Sequence, residues 1–287
     1  MPHNPASDAP VLGIALSTMD GRLAQNAELV RQLAKLEAPV VVVNQLRHDN
    51  TGRLSLPQLG WTESFAQIHN VETLGLSKSR NAAIEALPTA WAVLADDDVT
   101  LDLDGFKALA HQIASDNALG SSSRVGALST RLMKDPQTPW RAYSSKTPVL
   151  EGRSLAVLRK IQRINSMELV LNTKWLRQRS ISFDERFGLG APPTNGGEEV
   201  MLLHAVLQHG GQILPIDIPV RLHPEESSGQ AVNASTAFTQ GAVHWKVFGR
   251  LRWFALFAAY VGKRLWNGEL SAARHYARGG VWASRQA

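Results

Sequence analysis

Three consecutive aspartates, Asp96, Asp97 and Asp98, close the apolar run that begins at Trp91. Alternate side chains of an extended chain share a face, which would set Asp96 and Asp98 together and Asp97 opposite. Two carboxylates on one face at the end of a buried strand repel each other unless a cation lies between them. A hard divalent ion suits such a pair, and Mg²⁺ in particular is held by one or two carboxylates together with substrate phosphates. Aspartates also follow strands as turn formers and helix N-caps, so the triplet by itself fits either duty.

Just upstream lies GLSKSRNAAI, residues 75–84. Gly75 permits a tight turn, and Lys78 and Arg80 set cations beside a helix start whose free amides already favour anions. The pair can clamp a diphosphate or simply solvate a basic helix face. Asn81 is a mediocre helix former suited to a hydrogen-bonding duty. Downstream, FDERFGLGAPPTNGGEEV places Glu198 and Glu199 at a helix start behind Gly196 and Gly197, which let backbone approach a ligand. Neighbouring helical residues diverge by about 100°, so one of the two acids can face a substrate. Like charge and burial raise a glutamate toward general-base range, the helix terminus lowers it, and acids also favour a first turn for its dipole alone. His223 follows an apolar strand and reads alone as a structural or surface residue.

These groups need a scaffold, and the pattern of apolar residues supplies one. Strands are expected at 11–16 and 39–44 around a helix at 26–36, a βαβ opening. A helix at 78–87 leads to the aspartate strand, a helix follows at 103–115, and a strand at 125–133. After a polar excursion over 134–153 come a strand at 166–171, a helix at 173–178, the loop 183–197, a helix at 198–208 and a strand at 212–223. Strands that are apolar throughout belong to a sheet covered on both faces, so the expected fold is α/β: doubly wound, mostly parallel, with flanking helices. The stretch 45–75 reads as a polar loop and a glycine turn.

The chain has 287 residues, 44% of them hydrophobic, ample for a core without staples. It has no cysteine, so a metal must rest on Asp, Glu or His. Net charge is +5, concentrated after Trp245 in Lys246, Arg250, Arg252, Lys263, Arg264, Arg274, Arg278 and Arg285 against the lone Glu269. Val247, Leu251, Phe254, Ala258, Val261 and Leu265 keep helical spacing there. Such a basic, aromatic amphipathic tail either lies in a membrane interface or packs on the rest of the chain. No apolar run approaches the roughly 20 residues needed to cross a bilayer. The first ten residues, polar and proline-rich, lack signal-peptide organisation. A cytoplasmic location is expected, at most peripheral on the inner face of a membrane.

A glycine turn with Ser, Arg and Asn opening a helix, followed by a strand ending in DDD, resembles the nucleotide-sugar half of a family 2 glycosyltransferase of GT-A fold. FDE, a glycine-rich loop and an acidic pair opening a helix extend the resemblance into the acceptor half. It covers residues 11–229, with 11–104 as the nucleotide-sugar half, 105–229 as the acceptor half, a disordered lead-in over 1–10 and a helical tail over 230–287. The resemblance implies an inverting, metal-dependent transfer of a sugar from a nucleoside diphosphate sugar, foremost a UDP-sugar, to a glycan or lipid-linked hydroxyl acceptor, as in surface polysaccharide or glycolipid synthesis. Asp98 would be the principal ligand of Mg²⁺ or Mn²⁺, with Asp96 and His223 as companions. Leu16, Ser17 and Thr18 would face the base, with Asn44, Gln45, Lys78, Arg80, Asn81, Asp96 and Asp97 also on the donor, and Ser227 and Ser228 as loop contacts. Glu199, by position, would deprotonate the acceptor, with Glu198 beside it. Two departures stand out. The acidic pair is Glu-Glu where Glu-Asp is usual, and VVVNQLRHDN after the second strand lacks the usual aspartate-rich turn. Sugar-phosphate nucleotidyl transfer is a competing enzymatic reading, against which the acidic pair counts. A non-catalytic, basic membrane-binding protein is another; nucleic acid is not an expected partner, because the sheet lacks a stacking aromatic pattern.

Overall fold

The computed structural model describes residues 10–47, 51–116, 119, 124–140, 148–223, 233–266 and 270–286. Residues 1–9 of the expected lead-in, and Ser227 and Ser228, lie outside them. The chain opens with β1 (Leu12–Met19), α1 (Ala27–Ala34) and β2 (Val40–Gln45), the expected βαβ unit. Asn26 caps α1 by accepting from the Leu29 amide, and the helix turns Leu29 and Leu33 inward. Next come α2 (Leu56–Leu59), β3 (Ala66–Val71), α3 (Leu76–Ala86), β4 (Trp91–Asp96) and β5 (Thr100–Leu101).

The remaining elements are α4 (Leu103–Ser115), β6 (Val125–Asp135), β7 (Thr138–Pro139), β8 (Leu150–Glu151), α5 (Leu155–Ile161), β9 (Leu169–Asn172) and α6 (Thr173–Gln178). α7 (Glu198–Gln208), β10 (Gln212–Leu222), α8 (Ala234–Trp266) and α9 (Leu270–Ser284) complete the chain.

Three boundaries differ from expectation. β3 falls in the stretch read as a polar loop: it sits at the sheet edge, where only Ala66 is fully covered, so its sequence carries little apolar signal. α3 begins two residues early, at Leu76. The expected strand at 166–171 opens instead as a 3₁₀ turn, Ser166–Glu168, because Asn165 and Glu168 close a reciprocal capping box.

The sheet runs β3-β2-β1-β4-β9-β6-β10-β5. β3, β2, β1, β4, β6 and β10 share one direction, while β9 and β5 oppose it. This is the expected mostly parallel α/β architecture with a helical extension at its end. Leu12, Ile14 and Leu16 of β1 pack on one face with Leu29, Leu33, Phe106 and Leu109. Ala15, Val41, Val43 and Leu94 face the other side, against Ala83, Leu202, Val206 and Val247. Burial on both faces explains why these strands are apolar throughout. The first half of α8 thus packs on the domain, with Ala242, Val243, Val247 and Phe248 all buried.

α4 lies so close to β10 that a Cβ at Gly105 would run into the Pro219 carbonyl oxygen. Asp102 caps this turn by accepting from the Gly105 amide at 2.8 Å. Gly105→Ala should therefore destabilise the chain by about 1–3 kcal/mol through overpacking, read as a lowered urea midpoint with unchanged slope.

Candidate active site

Parallel strands gather their carboxyl ends along one rim, and open α/β sheets bind ligands in the crevice there. β1, β4 and β10 end on that rim with Ser17 to Met19, Asp96 and His223 nearby. Asp96 is the last residue of β4, and Asp97 and Asp98 already belong to a turn. The strict alternation expected for the triplet therefore fails, and the three carboxylates part company.

Asp97 is buried, accepts from the Thr18 hydroxyl at 2.5 Å and takes a two-point bond from Arg22, Nε at 3.1 Å and Nη2 at 2.8 Å. Its carboxylate ties β4 to the turn after β1. Asp98 projects outward, its side chain 64% exposed, with His223 Nε2 at 3.7 Å from Oδ1. The His223 imidazole, with Arg22 further off, holds the Asp98 carboxyl below the usual carboxylate range. Asp96 turns inward to Arg80, whose Nη2 is 3.3 Å from both of its oxygens. Burial pushes Asp96 above the ordinary range; Arg80 counteracts this, and the neighbouring Asp98 charge adds to it.

Arg80 is the residue whose place the sequence concealed. It is 1% exposed and its Nη1 donates to Glu198 Oε1 at 3.0 Å, so it joins β4 to the start of α7. Its Cζ lies 5.8 Å from the centroid of the Phe183 ring. Burial opposes its charge, but Asp96, Glu198 and Glu199 around it raise its pKa further. The expected diphosphate clamp is thus corrected: Arg80 faces protein carboxylates from beneath the rim. Lys78, exposed, lines a separate groove with Leu74, Glu185, Arg186, Trp282 and Gln286.

Glu198, buried, is likewise committed to Arg80, and its other oxygen, Oε2, has no hydrogen-bond partner. Glu199 is the half-buried member of the pair. Burial, and then the Glu198 charge beside it, push its carboxyl up to about 8, against the opposing pull of Arg80. A carboxyl raised in this direction is suited to proton exchange. Gly197 makes the turn before α7 with φ 82°, a left-handed conformation natural to glycine, and a Cβ there would press on Val243.

The opening turns of α3 grip the glycine-rich loop. The Asn81 amide donates to the Phe183 carbonyl at 3.0 Å and accepts from the Phe183 amide at 2.8 Å. Ser77 Oγ donates to the Phe187 carbonyl at 2.6 Å, and the Leu76 amide to the Leu189 carbonyl at 2.9 Å. Asn81 is accordingly placed as a clamp on this loop, away from the donor role expected of it.

The remaining donor candidates also have internal partners. Leu16 is wholly buried in the core. Ser17 accepts from Ser79 Oγ at 2.7 Å, and Thr18 is bonded to Asp97. Asn44 donates to the Gly52 carbonyl and to Asn70, both at 2.8 Å, and accepts from the Gly21 amide. Gln45 donates to the carbonyls of Thr73 and Gly75, which fixes the turn before α3. These side chains shape the rim. Asp20, which follows β1, accepts from the Arg47 amide and Nε at 2.9 and 2.8 Å, close to the end of β2.

Below the rim, fully buried Arg221 donates to the carbonyls of Leu94 and Leu169 and to Thr130 Oγ1. Burial pulls its pKa down to about 9. It pins β4, β9 and β6 to β10, and no motif announced it. Among the described residues no cluster of three or more side chains could enclose a metal ion. Asp98 and His223 nevertheless lie side by side, one carboxylate and one imidazole, while the expected companion Asp96 is engaged by Arg80. That donor set fits a hard divalent ion completed by phosphate oxygens and water.

No family model matches this sequence, and no curated protein matches it. Solved structures do resemble it. The Staphylococcus aureus TarS 1–349 structure superposes with a TM-score of 0.53 at 15% identity, covering 92% of this chain and 80% of that one. TarS 1–349 in complex with UDP gives 0.53 at 16% identity over 82% and 66% of the two chains, and the UDP-GlcNAc complex 0.53 at 15% over 82% and 67%. The chain spans 39% of the longer TarS structure. The chain described here shares the fold of these TarS structures.

Replacing Arg80 by Met should leave the buried Glu198 and the partly exposed Asp96 without their cation and cost about 3–5 kcal/mol in urea unfolding, with part recovered in Arg80→Met/Glu198→Gln. A second outcome concerns pH. Because the folded pKa of Glu199 lies above its ordinary value of 4.5, the native state holds more protons than the unfolded chain between pH 4.5 and about 8. Its contribution should lower stability as pH rises through that window, and Glu199→Gln should flatten that part of the melting-temperature profile.

Proposed function

We propose that the chain is a glycosyltransferase that moves a sugar from a nucleoside diphosphate sugar, specifically a UDP-sugar, to a hydroxyl of a glycan or lipid-linked acceptor, with inversion at the anomeric carbon. The observation that carries this reading is the Arg80 bridge, which sets the Asp96–Asp98 corner and the Glu198–Glu199 turn on one rim of a glycosyltransferase fold. The crystallised complexes of TarS with UDP and UDP-GlcNAc support the choice of donor. Surface polysaccharide or glycolipid synthesis suits such an acceptor.

In this mechanism Glu199, in its ionised form, accepts the acceptor hydroxyl proton as the acceptor oxygen attacks the anomeric carbon and the nucleoside diphosphate departs with the bonding pair. Glu198, ion-paired with Arg80, keeps its negative charge beside Glu199 and helps to raise the pKa of that neighbour instead of acting as the base itself. Asn81, Ser77 and the Gly196–Gly197 turn fix the loop that leads to this carboxylate. Asp98 and His223 would hold Mg²⁺ or Mn²⁺. When bound, such an ion neutralises charge on the leaving diphosphate.

A thermal-shift panel of nucleoside diphosphates with and without Mn²⁺ tests the class and the donor together. Stabilisation by UDP that requires the metal is expected. Asp98→Ala should abolish metal-dependent turnover. Glu199→Gln should keep UDP binding and lose transfer by about 10²–10⁴-fold; near-normal transfer by that variant would remove Glu199 from the role of base. Release of pyrophosphate from a sugar phosphate and a nucleoside triphosphate would instead reassign the chain to nucleotidyl transfer.

A further inference from the structure

The tail of the chain serves two different neighbours. α8 breaks at Gly249, whose φ of 76° and ψ of 170° are essentially reserved for glycine. Before the break the helix braces the candidate site: Thr239 Oγ1 accepts from the Asn195 amide at 2.8 Å, and Val243 backs Gly197. After the break one face of the helix packs on α9, with Trp253 buried and the Phe257 and Tyr260 rings stacked on Tyr276.

The opposite face has no cover. Leu251 is 86% exposed, Phe254 51% and Trp266 92%. Ala258 and Gly262, also exposed, fall between them at helical spacing, so the five positions share one face without a polar side chain. At about 100° per residue, Arg252 and Lys263 border one edge of that stripe and Arg250 the other. All three cations are exposed. Neither α8 nor α9 carries an Asp or Glu among its described residues.

A hydrophobic face rimmed by cations, with aromatics at both ends and no acids, has the chemistry of a helix lying in a lipid interface. We propose that the outward face of α8 after Gly249 docks on the surface of an anionic phospholipid bilayer, inserting Leu251, Phe254 and Trp266 while the bordering cations meet headgroup phosphates. Charge decides against a second copy as occupant. Two such faces brought together would oppose Arg250, Arg252 and Lys263 to their own kind, with no acid among the described residues of α8 and α9 to pair them. No helix among the described residues is long and apolar enough to cross a membrane, so the contact is along the surface. The same helix that backs the Gly196–Gly197 turn would then hold the rim of the sheet near the bilayer.

The test is co-sedimentation of the full chain with phosphatidylcholine vesicles, plain or mixed with phosphatidylglycerol. Binding to the mixed vesicles, weakened by salt, is expected. Burial of Leu and Phe side chains contributes enough that Leu251→Glu/Phe254→Glu should weaken it by more than about tenfold. Both side chains face solvent, so the melting temperature should not change; Trp266→Ala gives a second, independent reduction if it does. Absence of binding, equal binding to both vesicles, or undiminished binding by these variants would overturn the proposal. So would a wild-type dimer in analytical ultracentrifugation that the double variant dissolves while vesicle binding persists. The measurement involves no sugar donor, so its failure and the failure of sugar transfer are separate results.

Discussion

A single buried guanidinium organises this molecule. Arg80 lies on α3, takes Asp96 from the end of β4 and Glu198 from the start of α7, and is shielded almost completely from water. A buried charge without partners is far costlier than one inside a pair, so each of the three groups makes the other two tolerable. The elements they come from are distant in sequence: Arg80 and Glu198 are 118 residues apart. The pairing therefore acts as a register between the strand that carries the aspartates and the helix that carries the glutamates. It also explains why two adjacent glutamates differ. Glu198 is committed to Arg80, and the Glu199 beside it carries the raised pKa that desolvation and like charge impose.

The second constraint is the loop between Phe183 and Gly197, which has no regular structure of its own and is held by α3. Asn81 treats the Phe183 peptide as a strand partner would, donating to its carbonyl and accepting from its amide. Ser77 and Leu76 continue the attachment at Phe187 and Leu189. From the other side α8 supports the turn through Thr239 and Val243. A loop fixed on both sides delivers Glu199 to a defined position, which proton transfer requires. The motif at 75–84 and the motif at 183–199 are thus one device, in which the first holds the second in place.

The helical tail shows how one amphipathic pattern can be misread as having a single partner. Its spacing is equally consistent with packing on the domain and with a lipid surface, and in the structure part of the pattern is covered and part is exposed, both along its length and around its circumference. Val247 is covered by the domain, and Trp253 is buried beside the Tyr276 of α9, while Leu251 and Phe254 face away from both. Gly249 separates the two regimes by bending the chain where no other residue would bend comfortably.

Sequence alone determined the class of fold, because short apolar runs such as 40–43 and 91–95 between turn residues suit strands covered on both faces, and helices at 103–115, 173–178 and 198–208 alternate with them in the chain. It also singled out the polar residues that converge on the rim, since residue types and local spacing are written in the chain. It did not reveal β3, whose exposed edge needs few apolar residues, nor which member of each acidic motif faces water. Asp98 is exposed while Asp96 and Asp97 turn to Arg80 and Arg22, and Arg80, Asn81, Asn44 and Gln45 hold protein instead of donor. Most of those assignments depend on partners far away in the sequence, Glu198 lying 118 residues from Arg80, and a side chain's partner across such distances is fixed by packing, which only the tertiary structure decides.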